Sequence, residues 1–260
     1  IRIVALHAAA LFGRPAVPFV ARGLSDPRRE VRVQAAQVLQ DFGPEAEAAT
    51  PALIEALADP DEDVRWKAAD ALVRIGRPAV PALAGALGPG DREVRRRAAL
   101  ALGTIGAEAA GARADLARLL EDPAPDVRVA AAVACCRCGG ASEPAVRCLL
   151  DLLARPDPEV RSGAARGLGE IGPPAVGAAA ALGAILDDEA EPEAVRVEAA
   201  LALGGIGSPE GGAVESLRKA LGGPGALPWA AARGLGGICP AASTAARELG
   251  LLLSSPDPET

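Results

Sequence analysis

Cys135, Cys136 and Cys138, with Cys148 ten residues beyond, are the grouping in this chain that most suggests chemistry. Thiolates so spaced can hold zinc, provided about four ligands converge on one point. His7 is the only histidine. Nucleophilic catalysis of the Ser-His-Asp or Cys-His kind needs a base beside its nucleophile, so it would have to run through that single imidazole. The acidic runs Asp59 to Asp63 and Asp187 to Glu193 offer oxygen ligands but lack the spacing of a calcium-binding EF-hand loop. Gly204-Gly205 and Gly222-Gly223 follow no strand, which argues against a phosphate-binding loop.

What these residues can do depends on the elements that carry them, and those elements repeat. A Val-Arg pair, followed by small residues and then a Gly twelve positions after the Val, begins at Val31, Val64, Val94, Val127, Val160 and Val195. Ile1-Arg2 to Gly13 is the same unit, and Leu227-Pro228 to Cys239 is a worn copy. The starts are 30, 33, 30, 33, 33, 35 and 32 residues apart. Periods of this size mark helical or mixed repeat arrays. Each unit reads as two helices. The first opens near a Pro (Pro15, Pro78, Pro144), which suits a first helical turn. An Asp-Pro turn follows at Asp26, Asp59 and Asp122, its Asp expected to cap the second helix. The second helix ends at the Gly, expected to be left-handed.

At 100° per residue, positions 1, 5, 8, 9 and 12 of the second helix share one arc. In one copy these are Val64, Ala68, Ala71, Leu72 and Ile75, the expected core. Positions 2, 6 and 10 flank it with small residues that let helices approach within about 8–10 Å. Positions 3, 4, 7 and 11 form the exposed arc. In this register Cys135 and Cys138 occupy core positions and Cys136 faces a neighbouring helix, so the thiols do not converge and read as buried filler. His7 falls on the exposed arc. No catalytic residue, metal or cofactor is therefore expected.

The residues Asp59-Pro60, Val64-Arg65, Ala68-Ala69, Leu72 and Ile75-Gly76, with Pro78-Ala79-Val80-Pro81-Ala82-Leu83 after them, resemble the HEAT-like repeats named after phycobilisome lyases. The likeness runs over nearly the whole chain. It implies an all-α solenoid of about eight helical hairpins, with residues 1–260 as a single array and the second helices lining its concave side. It also implies that the repeated Arg bridges its turn to the Asp six residues earlier, as Arg32 would to Asp26. Pro89, Arg155 and Ala190 interrupt that pattern, so Arg95, Arg161 and Arg196 must pair otherwise or stay free. Deoxyhypusine hydroxylase resembles this repeat class but holds iron with several His-Glu pairs, and one histidine excludes that activity. Ile1 starts inside a unit and Ser255 to Thr260 reads as the opening of another, so a piece of a longer protein is expected.

Composition narrows the function. Arg outnumbers Lys 25 to two, and Met and Tyr are absent, a bias explained by a GC-rich bacterial genome. The net charge of -7 argues against nucleic acid, whose binders carry a basic excess. Five cysteines form no disulfide framework and suggest a reducing, cytoplasmic compartment. No apolar run is long enough to span a bilayer.

The exposed arc is the informative surface. In units two to four it carries Trp66, Lys67, Arg74, Arg96, Arg97 and Arg137, and later Arg166, Trp229 and Arg233. These nine residues are the expected partner-binding site of a non-catalytic protein–protein scaffold, receiving an acidic segment of another protein, since Trp and Arg dominate binding hot spots. A second reading makes position 3 half-buried between repeats, with both tryptophans as packing residues. Two alternatives of other classes are a bilin lyase or lyase-chaperone subunit and a nucleic-acid-binding HEAT-like protein. The oligomeric state is left open.

Overall fold

The computed structural model describes residues 2–140 and 142–238, apart from the side chains of residues 2, 5, 7 and 10. The expectations for His7, Cys239 and residues 255–260 lie outside the described residues. Among those described, every regular element is a helix, and the fold is an all-α solenoid of helical hairpins. The chain divides into two compact units, Ile1–Gly140 and Ala141–Thr260.

The first unit holds α1 (Arg2–Ala10), α2 (Val17–Arg22), α3 (Arg29–Phe42), α4 (Thr50–Ala56) and α5 (Glu62–Ile75). It continues with α6 (Val80–Gly85), α7 (Arg92–Ile105), α8 (Arg113–Arg118) and α9 (Pro125–Arg137). The second unit holds α10 (Ser142–Leu153), α11 (Pro158–Ile171), α12 (Ala179–Asp187), α13 (Glu193–Ile206), α14 (Ala213–Ala220) and α15 (Leu227–Ile238). Odd-numbered helices are the second helices of the repeat. In the first unit α3, α5, α7 and α9 pack side by side in one layer, with α2, α4 and α6 in the other. In the second, α11, α13 and α15 form one layer, and α12 packs beside α14 in the other.

The 3.6-residue period decides which side chains meet between layers. Val64, Ala68, Ala71, Leu72 and Ile75 are all at most 1% exposed, as the core arc requires. Position 9 is a fully buried Leu at residues 39, 72, 102, 168, 203 and 235, with Cys135 in the remaining described copy from Val31 onward. Each such Leu contributes roughly 1.5–3 kcal/mol by leaving water. Small residues then let the helices close up: a Cβ added at Gly103 would lie 3.0 Å from the Ala134 Cα.

Two local expectations need correcting. The Asp of the Asp-Pro turn does not cap the second helix: Asp59 accepts the Asp61 N–H at 2.9 Å and Asp122 the Ala124 N–H at 2.8 Å. Helix caps stand two residues later, where Asp61 and Asp91 each accept two N–H groups and Asp157 accepts one. Where that later position is Arg28 or Ala124, no side chain caps the helix. The terminal glycines are not all left-handed helical either. Gly207 is, at φ 70° and ψ 17°. Gly76, at φ 72° and ψ -137°, instead combines positive φ with extended ψ, a region open essentially to glycine alone.

Candidate functional site

The turns organise the repeated arginines, in a way the spacing did not show. Arg32 donates from Nη1 to the carbonyl oxygens of Asp26 and Pro27, at 3.1 and 3.3 Å, so it reaches its own turn through backbone. Its Nε and Nη2 grip the Asp59 carboxylate, in the following turn, at 2.7 and 2.9 Å. Arg95 holds Asp122 likewise at 2.7 and 3.2 Å, and Arg161 holds Glu191 at 3.2 and 2.8 Å. Residues five or six places before each of these arginines thus meet it through backbone carbonyls, Asp26 among them, and the carboxylate comes from the next hairpin. Glu191, one place past Ala190, was the missed member. Arg196 turns to the Leu186 carbonyl at 3.0 Å instead.

Two arginines of the first unit depart from this pattern: Arg128 donates from Nε to the Leu120 carbonyl at 2.9 Å, and the other is Arg65. Its Nη1 meets the carbonyls of Asp59 and Pro60, at 2.7 and 3.0 Å. The next turn offers Pro89 where Asp would stand, and the buried Arg65 Nε has no hydrogen-bond partner. Glu93 approaches it only to 4.0 Å.

The exposed arc of the first unit is built on α5, α7 and α9. Trp66 is 59% exposed, so it is not packed between repeats. Lys67 and Arg74 lie on the same helix and form no ion pair with the described residues. On α7 the expectation fails in part. Arg97 is 7% exposed and donates from Nε to Glu93 Oε1 at 2.5 Å. Arg96 forks onto the same carboxylate at 2.8 and 2.9 Å and lies 3.6 Å from Asp126. Hydrogen bonds from Arg96, helped by Arg97 and opposed by partial burial, hold the Glu93 carboxyl at about 2. Sequence reasoning missed Glu93 because it sits one place before the repeat's Val, outside the counted arc. The α7 arginines are therefore all paired, Arg96 and Arg97 by Glu93, Arg92 by Asp126 and Arg95 by Asp122. Arg137 ends α9 exposed.

In the second unit Arg166, on α11, lies 3.5 Å from Glu198 on α13. Trp229 on α15 is 59% exposed, and Arg233 one turn later places its guanidinium carbon 5.8 Å from the ring centroid. That is a cation–π distance.

The other chemistry-bearing groups are absorbed by structure. Cys135, Cys138 and Cys148 are buried and Cys136 half-buried, with the Cys138 thiol against the Leu102 carbonyl at 3.4 Å. Burial pushes the Cys136 and Cys138 thiols up, away from the thiolate a metal needs. Among the described residues no group of three or more His, Cys, Asp or Glu side chains is placed to hold a metal ion. Acids of the two acidic runs cap turns and pair: Asp187 accepts the Ser216 hydroxyl at 2.9 Å and Asp188 the Ala190 N–H at 2.9 Å. No described helix is long and apolar enough to cross a membrane.

Comparison with known proteins agrees with these stacked hairpins. HEAT repeats match at residues 50–136, 113–194 and 146–236, and the PBS lyase HEAT-like repeat matches at residues 31–59. The chain belongs to the HEAT-repeat family. No curated protein matches it significantly. Among solved structures, importin beta superposes with a TM-score of 0.55 at 18% identity, over 90% of this HEAT-repeat chain and 36% of that one. The CpcE–CpcF complex of phycocyanin lyase from Nostoc sp. PCC7120 gives a TM-score of 0.51 at 24% identity, covering 85% and 86%. An engineered protein gives 0.43 at 25% identity, covering 85% and 96%.

Proposed function

We propose that this HEAT-repeat chain is a non-catalytic protein-binding scaffold whose second helices receive an acidic segment of a partner protein. One observation carries the reading: Trp66 and Trp229, the two tryptophans, both stand 59% exposed on second helices beside cations. Exposed tryptophan is costly in water, and Trp with Arg is the pairing most enriched where binding energy concentrates. Lys67 and Arg74 flank the first and Arg233 the second. Arg96 and Arg97 leave the proposed site, since Glu93 already holds both.

The test is affinity capture from nuclease-treated lysate of the source organism with three chains. These are the wild type, a Trp66→Ala/Arg74→Ala variant and a Trp229→Ala/Arg233→Ala variant, each checked for helicity by circular dichroism. A protein retained by wild type and lost with at least one folded variant supports the scaffold reading. Equal recovery on all three would refute it.

The match of residues 31–59 to the PBS lyase HEAT-like repeat favours one second reading, a bilin lyase or lyase-chaperone subunit. Mixing the chain with free bilin and an acceptor phycobiliprotein tests it directly. Covalent chromophore on the acceptor above the uncatalysed background would establish that activity, and its absence would remove it.

A further inference from the structure

A trough of about 640 Å³ opens on the second-helix layer of the second unit, lined chiefly by Arg166, Glu198, Leu201, Ala202 and Arg233 over glycine backbone. Its volume falls within the roughly 300–1,000 Å³ of ligand-sized sites. It exists because position 11 carries no side chain on α13 and α15, where Gly205 and Gly237 stand. In the first unit Asp41, Arg74, Thr104 and Arg137 occupy that position. Position 7 supplies the walls: Arg166, Leu201 and Arg233 stand in a row across the three helices, with the half-exposed Leu201 between two guanidinium groups.

The charges of the trough are unequally committed. Arg166 and Glu198 neutralise each other across 3.5 Å, and Glu170 is not free. Arg233 meets no carboxylate among the described residues; its partner is the face of Trp229. A cation–π contact of this kind uses no N–H group of the guanidinium, so the pairs that bind a carboxylate bidentately stay available.

Resting on the scaffold reading above, we infer that this trough is the specificity pocket of the scaffold. Its occupant is an acidic partner segment that seats a large apolar side chain against Leu201 and Ala202 and a neighbouring carboxylate on Arg233. The apolar part of the lining takes the side chain, and the uncommitted cation fixes the register. On α7 of the first unit, by contrast, Arg96 and Arg97 are already held by Glu93.

The probe is a displayed library of random peptides, panned on the intact chain. Enriched peptides are then measured by fluorescence anisotropy against wild type, Arg233→Ala, Leu201→Trp and Arg74→Ala, with folding checked by circular dichroism. The expected binders carry Asp or Glu beside a large apolar residue. They should weaken about ten- to a hundredfold on Arg233→Ala, the effect of losing a charge-assisted contact. They should weaken similarly on Leu201→Trp, which fills the trough. Failure to enrich any peptide, or binders that hold Arg233→Ala as tightly as wild type, would overturn the pocket. Binders lost instead on Arg74→Ala would overturn it too while leaving the scaffold reading intact on the first unit. Binders indifferent to all three substitutions would remove both.

Discussion

The guanidinium of Arg32 spans two turns at once, donating from Nη1 to the Asp26 carbonyl at 3.1 Å and from Nε to the Asp59 carboxylate at 2.7 Å. Both side chains are mostly buried, at 14% and 8% exposure. The same fork joins Arg95 to Asp122, so the contact is a repeated fastening between consecutive hairpins. In a solenoid, where each repeat touches only its neighbours, such fastenings carry the interface energy.

Removing one partner of a buried pair leaves the other uncompensated. Asp59→Ala is expected to destabilise the first unit by about 3 kcal/mol. Urea denaturation followed by circular dichroism measures it, and a change below about 0.5 kcal/mol would show that solvent already screens the pair.

Pro89 gives the converse experiment. It puts no carboxylate where Asp59 stands for Arg32, and the Arg65 Nε is buried without a hydrogen-bond partner, with Glu93 4.0 Å away. Pro89→Asp should provide one, in the geometry that Asp59 offers Arg32. A charge-assisted hydrogen bond is worth about 1.5–3 kcal/mol, against roughly 0.4–1 lost by freeing the unfolded chain of a proline. A net gain of about 1 kcal/mol is expected, read as a raised midpoint in thermal unfolding. Unchanged or lowered stability would mean that the turn around Pro89 cannot present the carboxylate.

The core was legible because Val64, Ala68, Ala71, Leu72 and Ile75 follow the helical period, and burial along one helix depends on that period alone. The partner of Arg32 was not, because it lies on the next hairpin, and one-dimensional spacing contains the distance to Asp26 but not the stacking offset to Asp59. Arg97 failed for a related reason. Its long stem lets the charged end leave the exposed arc and fold back onto Glu93, one turn earlier on the same helix. The exposure of Trp66 and Trp229 was undecidable from sequence, since position 3 holds Val, Ile, Ser and Trp alike. The trough needed three helices in place before the glycines of α13 and α15 could mean more than flexibility.

Those glycines also make a packing prediction. A Cβ at Gly204 would lie 2.6 Å from the Gly234 Cα, backbone that cannot swing aside. Alanine is favoured over glycine within a helix by about 1 kcal/mol. Gly204→Ala should nevertheless destabilise the second unit, by roughly 1–3 kcal/mol from overpacking. Gly236→Ala, with nothing within 4 Å of the added methyl, should be neutral or stabilising. Hydrogen exchange of the α13 and α15 amides separates the two: faster exchange in the first variant only is the expected result.

Glu93 gives the chain a specific acid response. Its carboxyl is held at about 2 against an ordinary 4.5 by Arg96 and Arg97. A group depressed in the folded state contributes stability that is complete above the unfolded value and lost as pH falls through the folded one. The window is therefore pH 4.5 down to about 2. Glu93 is partly open to solvent, so screening reduces the contribution to about 1 kcal/mol. Glu93→Gln should remove that part of the acid slope while keeping an acceptor for Arg96, leaving the variant less stable than wild type at neutral pH and nearly equal to it at pH 2. Carboxyl carbon shifts in an NMR titration check the cause. A Glu93 signal that titrates near the ordinary value would detach the acid response from this carboxylate and return Arg96 to the exposed face as a free cation.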